Sequence, residues 1–139
     1  MADLTPYDQL CAYTLNLGDP EFTHQHVVDA YAAQTATAED KPIRLFFALV
    51  GLYLHCEVGF TGREVQRAHM KLAATKQAWP VFDLPHELAH PDLAGIMEAV
   101  PGKARHILID KWAQEVWAEY QSQQDKITPP LVRAGIVKS

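Results

Sequence analysis

Cysteine is scarce in this chain, positive charge is outweighed by negative, and no apolar run is long. Only Cys11 and Cys56 occur among 139 residues. Two cysteines do not make a dense disulfide framework, so a reduced, cytoplasmic protein is the expectation. Twelve Lys and Arg stand against 17 Asp and Glu, a formal net charge of -5 at pH 7. That balance argues against nucleic-acid and anionic-membrane partners, which require a basic patch. The longest apolar run is LFFALVGLYL, residues 45–54, flanked by Arg44 and Glu57. It falls short of the roughly 20 residues needed to span a bilayer, so no membrane insertion is expected. The N-terminal MADLTPYDQL lacks a basic segment followed by an apolar one, so no signal peptide is read there. Glycine-rich phosphate loops, a G-x-S-x-G elbow and a C-x-x-C pair are also missing. Nucleotide hydrolysis and thiol–disulfide exchange therefore have no motif to rest on. No segment alternates apolar and polar residues between turn signals, so no sheet is predicted.

What is present is helix punctuation. Hydrophobic residues make up 48% of the chain and charged residues 21%, a globular composition of one domain's length. Thr5 caps a helix whose first position is Pro6 and whose end is Gly18. Asp19 and Pro20 repeat that start for DPEFTHQHVVDAYAAQ, with Glu21 in the first turn. Asp40 and Pro42 introduce a third helix over about 42–58, apolar on nearly every side and so expected at the centre. TGRE at 61–64 is a capping-box pattern opening a fourth helix to about Lys76. A short helix follows Asp92. A long one, KARHILIDKWAQEVWAEYQSQ, carries Ile109, Trp112, Ala113, Val116 and Tyr120 as one buried stripe. The prediction is an all-α, single-domain bundle of five to six helices spanning 1–139, with a proline-broken surface tail at 127–139.

One motif invites a reaction. HELAH, residues 86–90, fits the zinc-protease pattern His-Glu-x-x-His. That chemistry needs both histidines on one face of a stable helix. Pro85 and Pro91 fence the segment, and a proline drives the residue before it, here His90, out of the helical region. A surface turn is the better reading, and a zinc protease the least favoured of the functional readings.

The histidines on helices are more informative. His24 shares a face with Val27, Val28 and Tyr31, and His69 lies with Val65, Ala68 and Leu72. His55 follows the most apolar run. Inward imidazoles on separate helices can meet in a bundle core and form a metal or small-molecule site. His24, His55 and His69 are the candidate metal ligands, for a divalent transition metal such as zinc, nickel or iron. His24, Asp29, Tyr31, Gln34, Glu57, Gln66 and His69 are the candidate binding residues, with the carboxylates and Gln66 orienting the rings. Each histidine has a plainer reading as a core residue hydrogen-bonded to a neighbour. His26 and Asp29, three apart, are spaced as a helix-surface pair. Cys56 beside His55 points elsewhere on the helix, so the two are not a nucleophile–base pair.

The blocks HQHVVDAYAAQ (24–34), FFALVGLYLHCEVG (46–59), TGREVQRAHMKLA (61–73) and WP (79–80) resemble an uncharacterised bacterial domain-of-unknown-function family of small helical proteins. The resemblance runs from about Tyr13 to Trp117 and implies a small helical fold with no assigned activity. HELAH lies outside its blocks. Two functional readings remain open. One is an internal site for a metal or small molecule. The other is a non-enzymatic interaction module, a homodimer whose histidines are structural and whose surplus apolar area forms the interface.

Overall fold

The structure is a computed structural model that describes residues 4–85 and 92–138. The HELAH segment, His86 to His90, lies outside the described residues. The chain is all-α, and no strand occurs among the described residues. Helix α1 is Pro6–Asn16, α2 His24–Gln34, α3 Pro42–Tyr53, α4 Gly62–Ala73, α5 Leu93–Glu98, α6 Lys103–Tyr120 and α7 Thr128–Arg133. None of these is long and apolar enough to cross a membrane.

Three helix starts follow the caps in the sequence, while α3 begins after Lys41 with no side-chain cap. Thr5 Oγ1 accepts from the Asp8 amide at 3.1 Å. Thr61 and Glu64 form a complete capping box, each side chain bonded to the other's backbone amide. Asp92 accepts from the Gly95 amide at 3.0 Å. The start of α2 differs from the expectation. Asp19 accepts from the amides of Glu21 and Thr23 at 2.8 and 3.0 Å, so it closes a turn and not a helix. Phe22 then adopts φ +57, which helical backbone cannot accommodate, and α2 begins only at His24.

The loop before α2 docks on α4. The Arg63 amide donates to the Glu21 carbonyl at 2.9 Å. Gly62 lies so close to the Phe22 carbonyl that a Cβ there would stand 1.8 Å from its oxygen.

Helix α3 is central, as its all-round apolar sequence implies. Leu45, Phe46 and the whole stretch Ala48–Tyr53 are buried. Its last turn, Leu54–Val58, widens to π geometry and stops at Gly59 with φ +88. Helix α2 packs mainly on α3 and α6, and Val27, Ala30 and Ala33 are fully buried along it.

The C-terminal segment is not the surface tail that its prolines suggested. Pro129 and Pro130 fall in the first turn of α7, where backbone amides have no helical partner to lose. Ile127 and Leu131 are fully buried. Tight 3₁₀ turns at Gln121–Lys126 carry the chain back to the core after α6.

Candidate functional site

Helices α2 and α3 lie against each other through a small residue. A Cβ on Gly51 would fall 1.8 Å from Asp29 Oδ2 and 3.2 Å from Val65 Cγ1. Only glycine admits the carboxyl of Asp29 at this crossing. Asp29 is 3% exposed. Its Oδ1 accepts from Gln25 Nε2 at 3.1 Å, while Oδ2 is buried with no partner. Burial pushes this carboxyl well above the usual carboxylate range, opposed only in part by the Gln25 amide.

Asp29 borders a cleft of about 360 Å³. Helix α2 gives it Gln25, Val28, Tyr31 and Ala32, one turn-spaced face. Helix α3 contributes Ile43, Arg44, Phe47 and Ala48, and α4 contributes His69. Tyr7 of α1 stacks on Tyr31 with ring centroids 3.7 Å apart and planes 12° apart. Arg44 binds Asp40 at 3.0 Å on the exposed side.

His69 is held by the backbone of α3. Its Nε2 donates to the Phe47 carbonyl at 2.8 Å, and its ring stands edge-on to Phe47. Burial lowers its pKa, with the carbonyl pulling the other way. The neutral ring therefore carries hydrogen on Nε2 and a bare lone pair on Nδ1.

A second polar cluster forms where α3 ends. The widened turn aims His55 between α2 and α6. Its Nε2 lies 2.8 Å from Asp110 Oδ1 and its Nδ1 3.2 Å from the Phe60 carbonyl. Both nitrogens face oxygen atoms. His26 stacks on this ring at 3.6 Å and is 8% exposed. Burial, then the neighbouring His55, lowers the pKa of His26 to about 3. His26 and Asp29 are thus both interior groups, not a surface pair.

The remaining candidates go to separate places. His24 Nδ1 sits 2.9 Å from Thr14 Oγ1, which also lies 3.1 Å from the Leu10 carbonyl and 3.2 Å from the Cys11 carbonyl. Burial lowers the pKa of His24. Gln34 accepts from Trp112 Nε1 at 2.6 Å, beside a different cleft. Glu57 accepts from Trp117 Nε1 and Gln121 Nε2 at 3.0 and 3.2 Å. Gln66 accepts from Arg63 at 2.7 Å.

The structure therefore brings Asp29, Tyr31 and His69 together and leaves His24, Gln34, Glu57 and Gln66 outside. His24, His55 and His69 do not converge: they sit on separate partners, Thr14, Asp110 and the Phe47 carbonyl. Each ring is held by its own partner, and no group of three His, Cys, Asp or Glu among the described residues could hold a metal ion. Helical spacing found the inward faces but not which faces oppose each other. Tyr7 and Arg44 in the cleft, and Asp110 in the cluster, were not singled out as site residues, and His26 was read as a surface residue. One signal was in the chain: Gly51, inside the most apolar helix, marks a place of close approach.

No curated protein and no solved structure matches the chain. A family model covering residues 5–121 does match. The matched span runs from the cap of α1 to the end of α6 and holds both the cleft and the histidine cluster. The chain belongs to the family of unknown function DUF5946.

Proposed function

We propose that this protein binds a small organic molecule in the cleft between α2, α3 and α4. One observation carries the reading. A cleft of about 360 Å³ joins the buried carboxyl of Asp29 to Gln25, Tyr31, His69 and Arg44 on a wall completed by Val28, Ala32, Ile43, Phe47 and Ala48. A few placed polar groups on an apolar wall are the usual form of a small-molecule site, and the size falls in the common range of about 300–1,000 Å³. Asp29 adds weight. A buried carboxyl oxygen without a donor destabilises the free protein, a cost expected of a group kept for binding. An organic ligand suits this wall better than a metal ion, because His69 already gives Nε2 to the Phe47 carbonyl. A reducing compartment also suits the protein, since Cys11 and Cys56 are free thiols.

The test is a fragment screen by amide NMR on the full chain. Hits are expected to shift Gln25, Ala32, Phe47 and His69 together, and a His69→Phe variant is expected to weaken them. Hits that cluster at another surface, or a diverse set that leaves these residues unmoved, would sink the reading.

A further inference from the structure

The polar atoms on the cleft wall narrow the chemistry of what fits there. His69 Nε2 faces a carbonyl at 2.8 Å and must carry the hydrogen, so Nδ1 offers only a lone pair. That nitrogen is neither bonded nor among the buried unpartnered atoms, so it is accessible. Gln25 directs its amide nitrogen to Asp29. Its carbonyl oxygen is likewise unbonded and accessible. Behind it lies the Asp29 carboxyl, whose Oδ2 has no donor. At this end of the cleft, His69 Nδ1 and the Gln25 carbonyl oxygen are accessible acceptors, and the enclosed Asp29 carboxyl stands behind them.

Among the described residues, the one full cation on the wall is Arg44, and Asp40 answers it at 3.0 Å. Among the described residues, no cation pairs with the carboxyl of Asp29. Burying a carboxylate without a cation is costly, and a ligand that supplies the cation relieves that cost.

From this convergence of acceptors on an uncompensated buried carboxyl, we infer that the cleft takes a small primary amine in its ammonium form. The N–H donors of the ammonium bond His69 Nδ1 and the Gln25 carbonyl oxygen, and its charge is met by Asp29. The apolar part lies along Val28, Ile43 and Phe47. The inference rests on the cleft being a ligand site. It also predicts proton release, because an ammonium favours the ionised form of Asp29.

Three probes of matched shape test it: 2-phenylethylammonium, neutral 2-phenylethanol and anionic phenylacetate. Each is titrated into the full chain at pH 7, followed by amide NMR and calorimetry. The ammonium is expected to bind at least about tenfold tighter than the alcohol, and phenylacetate more weakly still. Its binding heat is expected to change with the ionisation heat of the buffer, as proton release requires. In Asp29→Asn both the charge preference and the buffer dependence are expected to vanish, with the amide spectrum showing an intact fold. The wild-type series decides the matter even where that variant folds poorly. Equal or tighter binding of the alcohol or phenylacetate in the cleft overturns the amine and leaves the cleft reading standing. An ammonium that shifts residues away from Gln25 and His69 overturns it too. Binding by none of the three also overturns it, and the wider fragment screen then decides the cleft reading separately.

Discussion

Asp29 concentrates the conflict between stability and binding in one side chain. Its carboxyl is 3% exposed, bonded on one oxygen by Gln25, and raised in pKa by burial. The native carboxyl holds its proton more tightly than an unfolded one, whose pKa is about 3.9. Asp29 is therefore least harmful below that value. Its contribution is lost as pH rises through the elevated native value. Asp29→Asn keeps the shape and the Gln25 contact but cannot ionise. It is expected to be more stable than the wild type by upwards of about 1 kcal/mol at pH 8, with the gap closing toward pH 4. Urea denaturation across that range checks this, and a wild type that gains on the variant as pH rises contradicts it. His26 runs the opposite way. Its native pKa of about 3 lies below the unfolded value of about 6.5. Stability is fully present above the unfolded value and falls as pH drops through the window between them. His24 and His69, also lowered, add the same sign. His26→Gln is expected to flatten this acid slope in thermal melts between pH 7 and pH 4.

At the scale of elements, the α2–α3 crossing sets the cleft. Gly51 lets α2 come close enough for Asp29 to be enclosed and for Gln25, Asp29 and Tyr31 to meet His69 across α3. Gly51→Ala would force its methyl onto the Asp29 carboxyl. Overpacking of this kind costs about 1–3 kcal/mol. Because the severe clash is with the Asp29 side chain and the Val65 contact at 3.2 Å is milder, Asp29→Ala should remove much of it. A double-mutant cycle on Gly51→Ala and Asp29→Ala is expected to show coupling above about 0.5 kcal/mol, read by denaturant midpoints. Additive effects would mean that the crossing is not fixed by this contact. The α4 cap is a simpler device. Thr61→Ala removes the bond to the Glu64 amide and is expected to cost about 1 kcal/mol. Since α4 carries His69, the same change should loosen the cleft wall.

The whole molecule depends on an element that the sequence disguises. Prolines at 129 and 130 read as a break, yet they open α7, which seats Leu131 and Ile127 at full burial. Leu131→Ala is expected to cost about 2–5 kcal/mol, as for other fully buried leucines. Thermal melts check it, and a loss under about 0.5 kcal/mol would place α7 outside the cooperative unit.

Much of the architecture was settled by local chemistry that a sequence displays. Pro6 behind Thr5, the Thr61–Glu64 box and Asp92 fix helix starts, because an unpaired backbone amide takes the nearest acceptor. The all-round apolar content of α3 placed it at the centre, because no other position removes so much apolar surface from water. The same reasoning failed at Phe22, where a positive φ delays α2 in favour of docking on α4. What only the tertiary structure decided is which inward groups meet. His24, His55 and His69 look equivalent by periodicity, yet each is held by a different neighbour: Thr14, Asp110 and the Phe47 carbonyl. Periodicity gives the angle of a side chain around its own helix axis. Whether two such side chains meet depends on how the helices cross, and here that crossing was set by the missing Cβ of Gly51 against Asp29.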